Sequence, residues 1–254
     1  MFPVYISLGA FGAAEVGRHG QPWFARLASE AGADGVEVRG ELLHDAPHDD
    51  HLHAELALLA PFTAVYSEPI GLWTADGELD GGALQRGFKR AAALGAPTLK
   101  MSIGGFRIER RDSLNDLAIL MADAKVQLLI ENDQTETAGT LGALQAFFAA
   151  ADEVGLKLGM TFDMGNWHHQ GESPLEAAKA LASRVRYVHC KGVQRLPNKW
   201  VAVPLVDSIA PWRAVLRALP GDVPHAIEYP LAGNDLLATT RDEIALIKSA
   251  RALA

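Results

Sequence analysis

Four short apolar runs in the second half of this chain each end on a side chain suited to bind a metal ion. They are Glu131 in VQLLIEND, Asp163 in LGMTFDMGN, His189 in RVRYVHCKG and Glu228 in PHAIEYP. Each run has the length and apolar content of a buried strand and is followed by turn residues and then a helical pattern. A parallel barrel builds its active face from strand ends of this kind, so the repetition constrains the fold more than any other feature.

The same rhythm extends over the whole sequence. Eight strand-like runs are predicted at Val4 to Leu8, Gly35 to Arg39, Phe62 to Ser67, Thr98 to Ile103, Val126 to Asn132, Leu158 to Asp163, Val185 to Lys191 and His225 to Tyr229. Between them lie stretches with apolar residues at i, i+3 and i+4, such as QPWFARLASEAGA and TLGALQAFFAAADEVG. Ser173, Pro174 and Glu176 form a capping box with proline at the first helical position, and Gly32, Gly95 and Gly155 stand where helices should stop. Strand starts recur about every 30 residues, one βα unit each, which leaves no linker. The 254 residues match a single eight-fold barrel domain spanning 1–254. An open doubly wound sheet is disfavoured because SLGAFGAAE lacks the G-x-G-x-x-G phosphate fingerprint after the first strand. The expected fold is therefore an α/β (β/α)8 TIM barrel with its active site at the C-terminal strand ends.

Composition excludes several function classes. The formal net charge of -8, without a Lys/Arg run, argues against a nucleic-acid partner. No apolar run approaches the roughly 20 residues needed to span a bilayer, and MFPVYISLG has no basic segment or cleavage site typical of export, so no membrane partner is expected. Cys190 is the only cysteine, which rules out an intrachain disulfide and cysteine-rich zinc sites and suits a reducing compartment; the cytoplasm is the expected location.

Strand parity sharpens the site. Side chains alternate between the faces of a strand, so Gln127, Leu129 and Glu131 share a face, as do Gly159, Thr161 and Asp163, then Val185, Tyr187, His189 and Lys191, then Ala226 and Glu228. All four ligands point with the barrel interior. Three carboxylates crowded in an apolar mouth would raise one another's pKa unless a cation neutralised them, so the cluster calls for one divalent ion. The oxygen-rich set favours Mn²⁺, with Mg²⁺ or Co²⁺ as alternatives, over the nitrogen and sulfur sites that select zinc.

The same parity turns Lys191 inward, where an ammonium could hold a carboxylate or phosphate or protonate a leaving group. Glu37, Arg39 and Glu41 alternate on the second strand with the same inward parity, which makes Glu37 and Arg39 candidates for substrate contact; Arg39 either binds a sugar-acid carboxylate or balances Glu37. Lys100, at the end of strand four, and His168, after strand six, are further candidates for substrate contact. Trp73, on a long glycine-containing loop, either walls the pocket as part of a lid or packs helices. The tract His44 to His53, with its four histidines and three aspartates, is read as a solvated loop in which Asp49 and Asp50 cap the next helix.

These residues resemble the sugar phosphate isomerase/epimerase family, the xylose-isomerase-like TIM barrels that include inosose dehydratase, hydroxypyruvate isomerase and the ketose 3-epimerases. The likeness covers the whole chain. It implies that Glu131, Asp163, His189 and Glu228 are metal ligands in strand order and that Glu131 and Glu228 are the acid/base pair. The family's H-x-K-D keeps His189 and Lys191 but has Gly192 at its last position, and its D-x-x-H ends here on Asn166. Arg195 stands six residues after His189, where the ketose epimerases place a substrate-binding arginine. The opening ISLGAFGAAEVGRHGQPWF and GVEVRGELL also resemble epimerases of sugar-acid utilisation, such as 2-ketogluconate pathways.

Proton abstraction beside a carbonyl, through an enediolate, is the implied chemistry of an isomerase or epimerase acting on a keto sugar, sugar phosphate or keto sugar acid. The alternatives are a dehydratase of the inosose or 3-dehydroshikimate type, a non-catalytic binding barrel and an apurinic endonuclease; the last would need more histidines and a basic groove. Barrels of the resembled family often form dimers or tetramers, so a homo-oligomer stays open.

Overall fold

The computed structural model describes residues 2–43 and 50–252. Eight parallel strands, β1 (Val4–Ser7), β2 (Gly35–Arg39), β3 (Thr63–Ser67), β4 (Thr98–Ser102), β5 (Gln127–Glu131), β6 (Gly159–Asp163), β7 (Val185–Cys190) and β10 (His225–Ile227), close into a barrel with helices outside. Every predicted strand is present, within two residues at either end. The barrel follows chain order, β1 through β7 and then β10, which pairs back onto β1.

Parity explains the layering. Residues of one set, Val65, Leu129, Tyr187 and Ala226, form a small apolar plug inside the barrel. Residues of the other set, including Leu128, Ile130, Phe162, Val188, Cys190 and Ile227, join the large core between sheet and helices. Cys190 thus lies buried in the outer layer. The inward set continues beyond the plug to the strand ends, so whatever polar groups it carries there meet over an apolar floor.

Local chemistry sets the helix limits. The Ser173 hydroxyl accepts from the Glu176 amide, with Pro174 opening the helix Pro174–Leu181. Gly32, Gly95 and Gly155 adopt φ of 92°, 66° and 81° after their helices, a left-handed turn that glycine makes without Cβ strain. The first part of the histidine tract, residues 44–49, lies outside the described residues. Among the described residues no helix is long and apolar enough to cross a membrane.

One feature goes beyond the expectation, and another selects between two readings that the sequence leaves open. The segment after β7 is an antiparallel hairpin, β8 (Gly192–Leu196) and β9 (Lys199–Val203), standing apart from the barrel sheet. The loop carrying Trp73 is pinned rather than free to act as a lid. Its indole is 2% exposed, packs against Phe106 and Phe147, and donates to Ser113 Oγ at 2.9 Å. The Trp73 backbone also bonds both Ile103 and Gly105 in the loop after β4. That loop turns on Gly104, whose φ is 60° and where a Cβ would fall 2.4 Å from the Trp73 carbonyl oxygen. Gly104→Ala should therefore lower unfolding free energy by more than about 1 kcal/mol. A denaturant titration with an unchanged midpoint would show that the two loops slide apart freely.

Candidate metal centre

Each of the four candidate ligands reaches the barrel mouth by a different local device. Glu131 and His189 end or nearly end their strands, and Asp163 closes β6 directly beside His189 in register. The turn after β6 folds back on Asp163: Gly165 N and Asn166 N donate to its Oδ1 at 2.7 and 2.8 Å. That fixes one carboxylate oxygen and leaves Oδ2 facing the mouth. Glu228 follows β10, and its amide is tied to the Cys190 carbonyl at 3.1 Å, which holds it against β7.

The four side chains converge. Their donor atoms all lie within 4.8 Å of one another. His189 Nδ1 is the focus, 2.8 Å from Glu228 Oε2, 2.9 Å from Glu131 Oε1 and 3.7 Å from Asp163 Oδ2. Its other nitrogen, Nε2, faces Glu37 Oε2 at 2.7 Å.

Buried carboxylates at this density need cations. Lys100 Nζ, in a side chain only 1% exposed, lies 2.8 Å from Glu131 Oε2 and 3.3 Å from Glu37 Oε1. Lys191 Nζ bridges Asp163 Oδ2 at 2.6 Å and Glu228 Oε2 at 2.8 Å. Arg39 spans Glu37, Glu41 and Glu228 at 2.9, 2.9 and 2.5 Å. Burial alone would push the Glu131 carboxyl up, but Lys100 and His189 outweigh it and hold the group below its ordinary value. For Glu228, burial is likewise overcome by His189, Lys191 and Lys100, and the carboxyl sits well below the usual range. Both are carboxylates at neutral pH.

Burial pulls His189 down, yet Glu228 and Glu37 drive it well above the ordinary imidazole value. The surroundings therefore favour positive charge at the imidazole. A divalent cation beside Nδ1 supplies such charge, and the three-carboxylate, one-imidazole set matches hard, oxygen-preferring ions. The residues present fit that group.

A cavity of about 350 Å³ opens beside the cluster, with Arg39, Glu41, Lys191 and Glu228 on its polar side and Ala202 and Tyr229 among its apolar walls. Arg39 and Lys191 of the expected substrate contacts thus line it. Asn166 is drawn inward: its Nδ2 donates to the Asn132 carbonyl at 2.9 Å and its Oδ1 accepts from Lys191 at 3.3 Å. His168 and Arg195 are brought together instead at Trp200, their ring and guanidinium 4.8 and 5.2 Å from that indole. Trp73 lies in the helical core, as described above. Lys100 and Glu37 are buried beneath the mouth, 1% and 0% exposed, where they pair with protein groups. Ala202 reaches the cavity from the hairpin; the turn residues Pro197 and Asn198 between VQRL and KWVAV were its sequence signal.

Comparison with known proteins agrees with this architecture. The chain resembles the L-ribulose 3-epimerase structure at 15% identity and a TM-score of 0.70, covering 100% of this chain and 95% of that one. The D-allulose 3-epimerase from Methylomonas sp., in complex with D-allulose, is similar at 16% identity and 0.68, with coverage of 98% and 97%. The probable 3-DHS dehydratase AsbF from Bacillus anthracis aligns at 15% identity and 0.70, with coverage of 97% and 99%. No curated protein matches the chain. At these identities the solved structures show the fold alone. The profile of a known family matches residues 25–250, nearly the full length, and on that match the chain belongs to the xylose isomerase-like TIM barrel family.

Proposed function

We propose that this chain, as one barrel domain, is a divalent-metal-dependent isomerase or epimerase of a keto sugar, sugar phosphate or keto sugar acid. The observation that carries the reading is the focus on His189 Nδ1, with Glu131 and Glu228 each within 2.9 Å of it. Two ionised carboxylates from separate strands flank one point beside an open cavity. Glu131, Asp163, His189 and Glu228 would hold the cation, with Mn²⁺ the first choice. Such an ion polarises a substrate carbonyl and offsets the negative charge that develops when a neighbouring proton leaves.

The chain's own residues supply the proton traffic. Either glutamate, held ionised, can take a proton from the carbon beside the carbonyl. Return from the opposite glutamate inverts that carbon, and return to the adjacent carbon moves the carbonyl. Arg39 and Lys191, on the cavity wall, would orient a hydroxyl or an anionic group of the substrate. A second reading rests on Lys191 itself: its ammonium, 2.8 Å from Glu228 Oε2, stands where it could protonate a departing hydroxyl, which would make the reaction a dehydration.

The test is incubation with Mn²⁺ and a panel of keto sugars, ketose phosphates and keto sugar acids in D₂O. Deuterium on a carbon next to a carbonyl is expected for at least one member. Loss of water with a new conjugated chromophore would select the dehydratase, and a panel without any exchange would overturn both readings. The cytoplasm is the proposed compartment.

A further inference from the structure

Glu37 belongs to none of the four ligand positions and does not line the cavity, yet it is as deeply enclosed as Asp163 and His189. It sits mid-strand on β2 with 0% exposure. An ionised carboxylate so deeply buried is costly unless every oxygen is engaged. Here the two oxygens divide their partners. Oε1 accepts from Arg39 at 2.9 Å and Ser7 Oγ at 3.4 Å, with Lys100 Nζ at 3.3 Å. Oε2 faces His189 Nε2 at 2.7 Å. Arg39 and Lys100 already balance the charge from one side, so structural neutrality alone gives no reason to aim the second oxygen at the imidazole.

Hydrogen-bond chemistry makes that contact directional. Carboxylate oxygens face both ring nitrogens, so once a cation takes the place of the proton between Nδ1 and its carboxylates, the remaining proton of His189 sits on Nε2, where the ionised Glu37 carboxylate accepts it. Nδ1 then carries the lone pair, and Nδ1 is the nitrogen that Glu131, Asp163 and Glu228 surround. A carboxylate on the far nitrogen also fixes the ring's rotation and raises the basicity of the near one.

From this we infer that Glu37 is a positioning residue: through Nε2 it locks His189 in the tautomer and orientation that present Nδ1 to the cation. The inference rests on the reading of the four ligands as a metal centre and deepens it. It also reassigns Glu37, which strand parity alone had placed among the substrate contacts.

The experiment has two arms. Calorimetric titration of Mn²⁺ into wild type, Glu37→Gln and Glu37→Asp should show affinity about 10- to 100-fold weaker for Glu37→Gln, with part of the loss recovered in Glu37→Asp, which keeps the charge. In ¹⁵N-labelled wild type with Mg²⁺, two-bond ¹H–¹⁵N correlations should report His189 protonated at Nε2, and Glu37→Gln should add the Nδ1-protonated form. Where Glu37→Gln fails to fold, a wild-type spectrum with His189 protonated at Nδ1 still overturns the inference, and the Mn²⁺ affinity of Glu37→Asp still reports on the carboxylate. Wild-type His189 protonated at Nδ1, or Glu37→Gln binding Mn²⁺ within twofold of wild type, overturns the inference alone. A wild-type chain that takes up neither ion overturns the metal reading and this inference with it.

Discussion

Glu131→Gln and Glu228→Gln should each slow interconversion of the substrate pair by about 10²- to 10⁴-fold, the usual contribution of a positioned acid or base. Glutamine keeps the size and a hydrogen-bonding oxygen of each side chain while removing its capacity to take a proton. Both glutamates are also metal ligands in this reading, so the comparison belongs at saturating Mn²⁺, with binding measured separately. A sharper signature follows from their placement on different strands. If each serves one face of the reacting carbon, Glu131→Gln should still exchange solvent deuterium into one epimer while failing to convert it, and Glu228→Gln should do so for the other. Two variants that interconvert both epimers at the wild-type rate would remove the acid/base assignment.

The same division between local pattern and distant contact explains what could be read in the sequence. Barrel strands buried on both faces leave continuous apolar runs, and a two-residue period tells which side chains turn inward; Glu131, Asp163, His189 and Glu228 were legible for that reason. The hairpin β8–β9 was not. Its residues from Gln194 to Val203 are exposed or half-buried, so no hydrophobic period marks them, and only the Pro197–Asn198 turn gives it away. Trp73 was ambiguous because a tryptophan on a loop reads the same whether it walls a pocket or packs on Phe106 and Phe147. The role of Glu37 was hidden for a different reason. Parity correctly turned it inward, but its partner His189 is 152 residues away, and only closure of the barrel sets their heights equal.

Saturating divalent cation should stabilise the fold strongly, because a site assembled from four strand ends exists only in the folded chain. At a thousand times the dissociation constant the gain is about 4 kcal/mol, and at one hundred times about 2.7 kcal/mol. For a chain of this length each kcal/mol moves the melting temperature by about 2 to 4 °C, so a shift on the order of 8 to 16 °C is expected at the higher ratio. Asp163→Asn isolates the cause. Its side-chain carbonyl can still accept from the Gly165 and Asn166 amides, which Asp163 Oδ1 now receives at 2.7 and 2.8 Å, so the turn after β6 is retained. What it loses is the charge on the oxygen that faces His189 Nδ1 from 3.7 Å. Thermal scans with Mn²⁺ and with EDTA should therefore show a large shift for wild type and a much smaller one for Asp163→Asn. Equal shifts in the two proteins would place the cation elsewhere, and no shift in wild type would leave Lys100, Lys191, Arg39 and a protonated His189 as the counter-charges of these carboxylates.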